Sequence, residues 1–269
     1  MLFQSYIFIL LFFPLCLLGF WGLKRQKLLQ LWLIAFSLWF YGAASPYYLL
    51  LLLGSIAWNY AFFRAIERGI GRVIERVSGS AMERAEYGME RDSSRKRLLL
   101  GIGIAGNLAL LCFFKYFNAI SAGWSQMKGL EDPILQLALP LGISFFTFQQ
   151  IGFLADAYKG EVGACSLREY VLFVSFFPYV SSGPIVNAQE MLPQYRQIGR
   201  QRLDWAKFAG GLYLFALGLS KKVLLADTFG KAVDAGYGNV AGLSGTDAWL
   251  VMLFYTLQLY FDFSGYCDM

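Results

Sequence analysis

The sequence predicts an all-α fold, a polytopic bundle of transmembrane helices, and three observations carry that prediction. First, 57% of the 269 residues are hydrophobic and only 15% charged, with a mean hydropathy of +0.49. Soluble domains carry about a quarter charged residues, so lipid, not one soluble core, is the natural solvent for this much apolar surface. Second, the apolar residues come in runs of about 20, the length that crosses a bilayer. Third, the basic residues gather in connections between those runs, which is a topological signal. The formal net charge of +5 therefore reflects loop placement. A nucleic-acid surface would interleave basic and aromatic residues on one face, and none is visible.

Leu2 to Leu23 reads as the first span, kinked at Pro14. No positive charge precedes it and no small-residue cleavage site follows, so it reads as a retained span and not as a cleaved signal. Lys24, Arg25 and Lys27 form a basic turn. Leu28 to Ala44 is a second span, Ser45-Pro46 a tight turn, and Tyr47 to Phe63 a third span. Residues 64–97 hold nine basic and six acidic side chains. Their first half places Ile66, Ile70, Val73, Ile74 and Val77 on one helical face opposite Arg64, Glu67, Arg68 and Arg72. That pattern predicts an amphipathic helix on the membrane surface, followed by a polar loop.

Leu98 to Phe117 is the fourth span, and a polar stretch leads to Asp132-Pro133. Ile134 to Ala157 is a fifth, interrupted at Pro140-Leu141-Gly142. Tyr170 to Val186 is apolar but cut by Pro178, Ser181-Ser182 and Gly183-Pro184, as in a broken or re-entrant helix. Trp205 to Ala226 and Trp249 to Tyr266 complete about seven to eight membrane segments, plus one cytoplasmic amphipathic helix. Basic loops favour the cytoplasm, so 64–97 is expected to be a basic cytoplasmic loop with the N-terminus outside.

Four motifs bear on chemistry. Gly101-Ile102-Gly103-Ile104-Ala105-Gly106 matches G-x-G-x-x-G. It lacks the preceding strand that a dinucleotide site needs, so close helix approach is the better reading. The segment from Leu139 to Gln150 puts Gln149 and Gln150 at depth, either as interhelical hydrogen bonds or as a substrate-facing wall. The segment from Phe176 to Val186 frees backbone groups at a break, which membrane proteins use for binding. The segment from Tyr260 to Asp268 sets carboxylates into an apolar run. An intramembrane acid is costly and is read by default as functional, although Asp262 could instead pair with a neighbouring helix. Asp156 is expected to pair near the cytoplasmic face, and Lys221-Lys222 can be read as interface anchors. Cys16, Cys112, Cys165 and Cys267 form no C-x-x-C pair, so no zinc site or disulfide framework is expected.

These segments carry a resemblance. "LPLGISFFTFQQIGFLADAYKG" and "FFPYVSSGPIVNAQEMLPQY" look like the Pro-Leu/Ile-Gly-Ile-Ser-Phe and Phe-Pro…Gly-Pro stretches of membrane-bound O-acyltransferases. "GLSKKVLLADTFG" and "LQLYFDFSGYCDM" resemble stretches of the bacterial alginate O-acetyltransferase branch, and "MLFQSYIFILLFFPL" fits its start. The resemblance runs over essentially the whole chain. It implies a single membrane-bound O-acyltransferase domain over 1–269, cut short at its C-terminus, in a ring of helices around a buried chamber. It implies acetyl transfer to hydroxyls of an extracytoplasmic polysaccharide such as alginate, from acetyl-CoA or another acyl carrier acting as substrate. No bound cofactor and no metal are expected.

The family's catalytic histidine lies in a stretch past Met269, and this sequence has no histidine, so the segment alone is expected to be inactive. Gln149, Pro178, Gly183, Pro184, Tyr260, Asp262, Ser264 and Tyr266 are the expected chamber-lining residues. The expected partners are the lipid bilayer, a polysaccharide acceptor and periplasmic acetylation proteins, with no nucleic acid. The expected location is the bacterial inner membrane, multi-pass, with a periplasmic N-terminus. Peptidoglycan O-acetylation and D-alanyl transfer to teichoic acid are the enzymatic alternatives, and a membrane transporter is the alternative of another class.

Overall fold

A computed structural model describes residues 3–23, 25–78, 82–128, 137–181, 183–200 and 204–269, with side chains for all of these except 69–93 and 200. Lys24 lies outside them, as do 134–136 of the fifth segment and Ser182 of the broken one. Among the described residues there are helices and turns but no strand. The chain packs as two compact units, Gly22–Arg200 and a second made of Met1–Trp21 with Gln201–Met269.

In the first unit, α2 is Gln26–Ala44, α3 is Pro46–Ser78 and α4 is Met82–Met127. Ser45 is extended, and Pro46 opens α3 at the position where its missing N–H costs nothing. Then come α5, Ile143–Lys159, and the short α6, Leu167–Ser175, α7, Phe177–Val180, and α8, Ala188–Gln197. Their core is aromatic. Phe153 packs on Phe63, Tyr170 and Phe173 with ring centroids 5.1, 4.7 and 5.5 Å away.

In the second unit, α1 runs over Phe8–Gly22 as far as Trp21. The turn Phe8–Phe12 is a π-turn, in which Phe13 N–H bonds Phe8 C=O. Pro14 follows directly. It cannot donate to the preceding turn, and the wider turn falls where that donor is missing. α9, Trp205–Ser220, continues through a π-helical segment, Lys221–Ala226, into α10, Asp227–Gly238. α11, Gly245–Asp268, returns alongside, capped by a reciprocal Ser244–Asp247 box.

Four expectations on helix extent are corrected. The helix expected over the first half of 64–97 is present but continues α3 to Ser78, and 82–97 is the start of α4 and not a loop. No proline lies between Pro46 and Pro133, and polar composition alone does not end a helix. Arg64 and Glu67 pair across one turn at 2.5 Å. For the same reason 118–127 remains helical, and the span begun at Trp205 continues beyond Ala226 to Gly238.

Four stretches among the described residues are long and apolar enough to cross a membrane: Gln26–Ala44, Pro46–Arg68, Ser94–Met127 and Trp205–Gly238. Phe8–Gly22 adds a shorter one. The interrupted fifth and sixth segments yield helices of 17 and 9 residues, and α11 is long enough but richer in tyrosine, glutamine and aspartate. Within an 18-residue apolar window of the Trp205–Gly238 stretch only 6% is buried, so most apolar side chains of that window face the surroundings. The chain is an all-α helical membrane protein.

Candidate functional site

In the first unit, the two interrupted segments meet. Pro178 has no N–H and its ring would strike the carbonyl four residues back, so α6 ends at Ser175 and α7 starts afresh. A continuing helix would have paired Phe177 N–H with Phe173 C=O. Instead Phe177 N–H donates to Ser37 Oγ of α2 at 3.2 Å. The freed Phe173 carbonyl accepts from Gln149 Nε2 at 2.9 Å and from Tyr179 OH at 2.6 Å. A broken membrane helix needs its backbone groups satisfied inside the protein, and Gln149 does that here. The phenols of Tyr179 and Tyr195 share a hydrogen bond of 2.7 Å, and Gln30 of α2 donates to Tyr195 C=O at 3.1 Å.

Gly142 fixes the other half of this contact. Its φ is +67°, and a Cβ added there would lie 2.0 Å from Val180 C=O. The turn before α5 therefore lies directly on the end of α7. Tyr41 OH donates to Leu141 C=O at 2.9 Å and ties the turn to α2. A second neutral network sits nearby. Asn59 and Asn107 exchange amide hydrogen bonds of 3.0 and 2.6 Å between α3 and α4. Gln150 donates to Ser55 Oγ at 2.9 Å and accepts from Tyr170 OH at 3.2 Å.

The second unit holds charge instead. Lys221 and Lys222 fall where the helix takes its π-turn, after the 16 residues of α9, ~24 Å along the helix axis from Trp205. Lys221 Nζ binds Asp268 Oδ2 at 2.5 Å and Ser264 Oγ at 3.1 Å. Lys222 Nζ binds Asp262 Oδ1 at 2.7 Å and Asp227 Oδ1 at 3.2 Å. Two ammonium groups thus face three carboxylates. The side chains are part-exposed, 23% for Lys222 and 48% for Asp262. Gly218 and Gly265 let the helices come this close. A Cβ on Gly218 would sit 2.5 Å from Gly265 C=O, and one on Gly265 2.7 Å from Gly218 C=O.

The eight residues read from the sequence divide evenly. Gln149, Pro178, Gly183 and Pro184 lie in the first unit, and Tyr260, Asp262, Ser264 and Tyr266 in the second. Gln149 and Gly183 are buried, while Pro178 and Pro184 are exposed. Gly183 N–H closes the turn on Tyr179 C=O at 3.0 Å. Tyr260 is 64% exposed, and Tyr266 packs edge-on against Phe3. Asp262 pairs with a neighbouring helix, and Lys221 and Lys222 are pairing partners rather than free anchors. Asp156 has no ion pair among the described residues. The glycine run is borne out as a helix contact: a Cβ on Gly103 would meet Leu154 at 2.9 Å and one on Gly106 would meet Trp58 at 3.0 Å. The lysine pair's role was missed, although two adjacent charges inside an apolar run were the available signal.

Comparison with known proteins agrees with the motifs. The chain is 36% identical over its full length to a peptidoglycan O-acetyltransferase of Helicobacter pylori, covering 53% of that protein. It is likewise 36% identical over its full length to a probable alginate O-acetylase of Pseudomonas putida, covering 51% of it. A teichoic acid D-alanyltransferase of Lacticaseibacillus rhamnosus matches 47% of the chain at 28% identity. The chain spans about half the length of the first two relatives. No family model matches, and no solved structure matches. The resemblance to membrane-bound O-acyltransferases read from the motifs is borne out: along its whole length this chain is a homologue of proteins named as O-acetyltransferases of peptidoglycan and of alginate.

Proposed function

We propose that these residues form part of a membrane-bound O-acyltransferase that transfers acetyl groups to hydroxyls of a polysaccharide outside the cytoplasm. The observation that carries this is the full-length similarity to two enzymes named for polysaccharide O-acetylation. The D-alanyltransferase similarity covers less than half of the chain and supports the shared acyl-transfer chemistry more than that substrate.

The chemistry divides the labour. A sugar hydroxyl is a poor nucleophile and needs a positioned base. The chain has no histidine, so an imidazole base would have to be supplied from outside these 269 residues. In the transfer, the hydroxyl oxygen bonds the acyl carbon, the carbon–sulfur bond of acetyl-CoA or another carrier breaks, and the hydroxyl proton passes through the base to the leaving sulfur, which departs as the carrier's thiol. Gln149, Pro178, Gly183, Pro184, Tyr260, Asp262, Ser264 and Tyr266 would shape the reaction chamber. The enzyme would sit in the bacterial inner membrane with its N-terminus outside, residues 64–97 in the cytoplasm and periplasmic acetylation proteins as partners.

The test is a pair of chimeras in which residues 1–269 replace the matching half of each relative, in cells lacking that relative. Ester-linked acetate returning to alginate or peptidoglycan is the expected result. Two chimeras that insert into the membrane in normal amount yet restore no ester on either polymer would refute the proposal.

A further inference from the structure

We propose that Lys221 and Lys222 are positioning residues that lock the C-terminal part of α11, with its carboxylates, against the π-turn. The role in transfer rests on the function proposed above; the lock itself does not. Three observations converge. Adjacent residues on an α-helix point about 100° apart, so two neighbouring lysines rarely serve one partner helix. The π-helical segment Lys221–Ala226 inserts an extra residue into the turn, and Asp227 N–H reaches back five residues to Lys222 C=O. Both ammonium groups consequently reach α11, one binding Asp268 and Ser264, the other Asp262.

The second observation is the Gly218–Gly265 crossing, where backbone meets backbone with no room for a Cβ on either side. The close approach brings the α11 backbone within reach of both lysines. The third is the setting: charges within an apolar stretch are expensive unless paired. Lys222 bridges a carboxylate on α11 and one on its own helix, Asp227. Losing it would leave both carboxylates without a counter-ion at the place that presents Tyr260, Asp262 and Ser264.

Two measurements test this separately. The first uses the 269-residue chain in detergent and reads thermal unfolding. Lys221→Asp should lower Tm, and the charge-exchanged pair Lys221→Asp with Asp268→Lys should recover at least half of the loss. Equal Tm for wild type and Lys221→Asp, or no recovery in the pair, overturns the lock. The second uses an active chimera and reads ester formed per folded protein. Lys222→Met should reduce kcat at least tenfold with KM within twofold, while Lys222→Arg, which keeps both ion pairs, should retain most of it. Lys222→Met at wild-type kcat, or Lys222→Arg as impaired as Lys222→Met, overturns the positioning role. A wild-type chimera without ester speaks against the proposed function and leaves the Tm result to decide the lock.

Discussion

The two units handle polar groups in opposite ways. Gly22–Arg200 buries neutral amides and pairs them internally: Gln149, Gln150, Asn59 and Asn107 are each under 5% exposed and each hydrogen-bonded, although the buried hydroxyls of Ser125 and Thr147 find no partner among the described residues. The second unit gathers two lysines and three aspartates, part-exposed and joined by ion pairs. A neutral hydrogen bond between membrane helices costs little to bury and fixes register, contributing about 0.6–2 kcal/mol. An ion cluster costs far more to hold in an apolar stretch. The comparison teaches that the first network is what holds the broken helices together, whereas the second calls for a functional account.

The sharpest way to break the comparison is at Gly142. Gly142→Ala forces a side chain into a left-handed conformation and onto the Val180 carbonyl, 2.0 Å from the added carbon. A loss of about 3 kcal/mol or more is expected, read as a fall in Tm or as failure to purify a monodisperse species. A variant as stable as wild type would show that α5 and α7 do not meet as described. Gly218→Ala should cost about 2 kcal/mol by the same measurement, since the added carbon would lie 2.5 Å from Gly265 C=O.

A smaller effect is expected at the amide pair. Asn107→Leu leaves Asn59 buried with one partner fewer and should cost about 1–2 kcal/mol. In an active chimera it should lower the amount of folded protein without changing ester formed per folded molecule. A selective loss of turnover would erase the distinction between the two units.

The smallest effect lies in the surface clamp before α6. Burial raises the Glu169 carboxyl, but hydrogen bonds from the Arg196 guanidinium and from the Ser166 backbone and hydroxyl outweigh it and hold the group below its ordinary value. A carboxyl lowered in the folded state stabilises above its unfolded value, about 4.3, and that contribution fades as pH falls through the lowered folded value. The expected size is about 0.5–1 kcal/mol, as for a part-exposed pair. Hydrogen-exchange protection at the first turn of α6, taken relative to the intrinsic exchange rate at each pH, should fall on acidification below about pH 4. Glu169→Gln should exchange faster at neutral pH and show no such acid dependence.

Much of this was legible in the sequence. The apolar runs gave the membrane helices because run length is set by bilayer thickness, and Pro178 announced its break because a missing N–H has a local consequence. The extent of α3 and α4 was not legible, since polar residues in 64–97 suggest an interruption, yet polar side chains alone do not end a helix and the stretch has no proline to do so. Gly142 stands in the sequence as part of the Pro140-Leu141-Gly142 interruption, and its contact with Val180 depends on packing between separate helices. The lysine pair was hidden for the same reason: Lys221 finds its partners 43 and 47 residues further on.

The most direct test of the account compares one residue from each network in an active chimera, measuring base-released acetate per folded protein. Asp262→Asn, which empties the ion cluster of one charge, should insert normally and lower ester formation at least tenfold, about 1.4 kcal/mol or more. Gln150→Leu, in the neutral network, should lower the yield of folded protein but keep ester per molecule within twofold of wild type. Full activity in Asp262→Asn, or a tenfold loss per folded molecule in Gln150→Leu, would contradict the account.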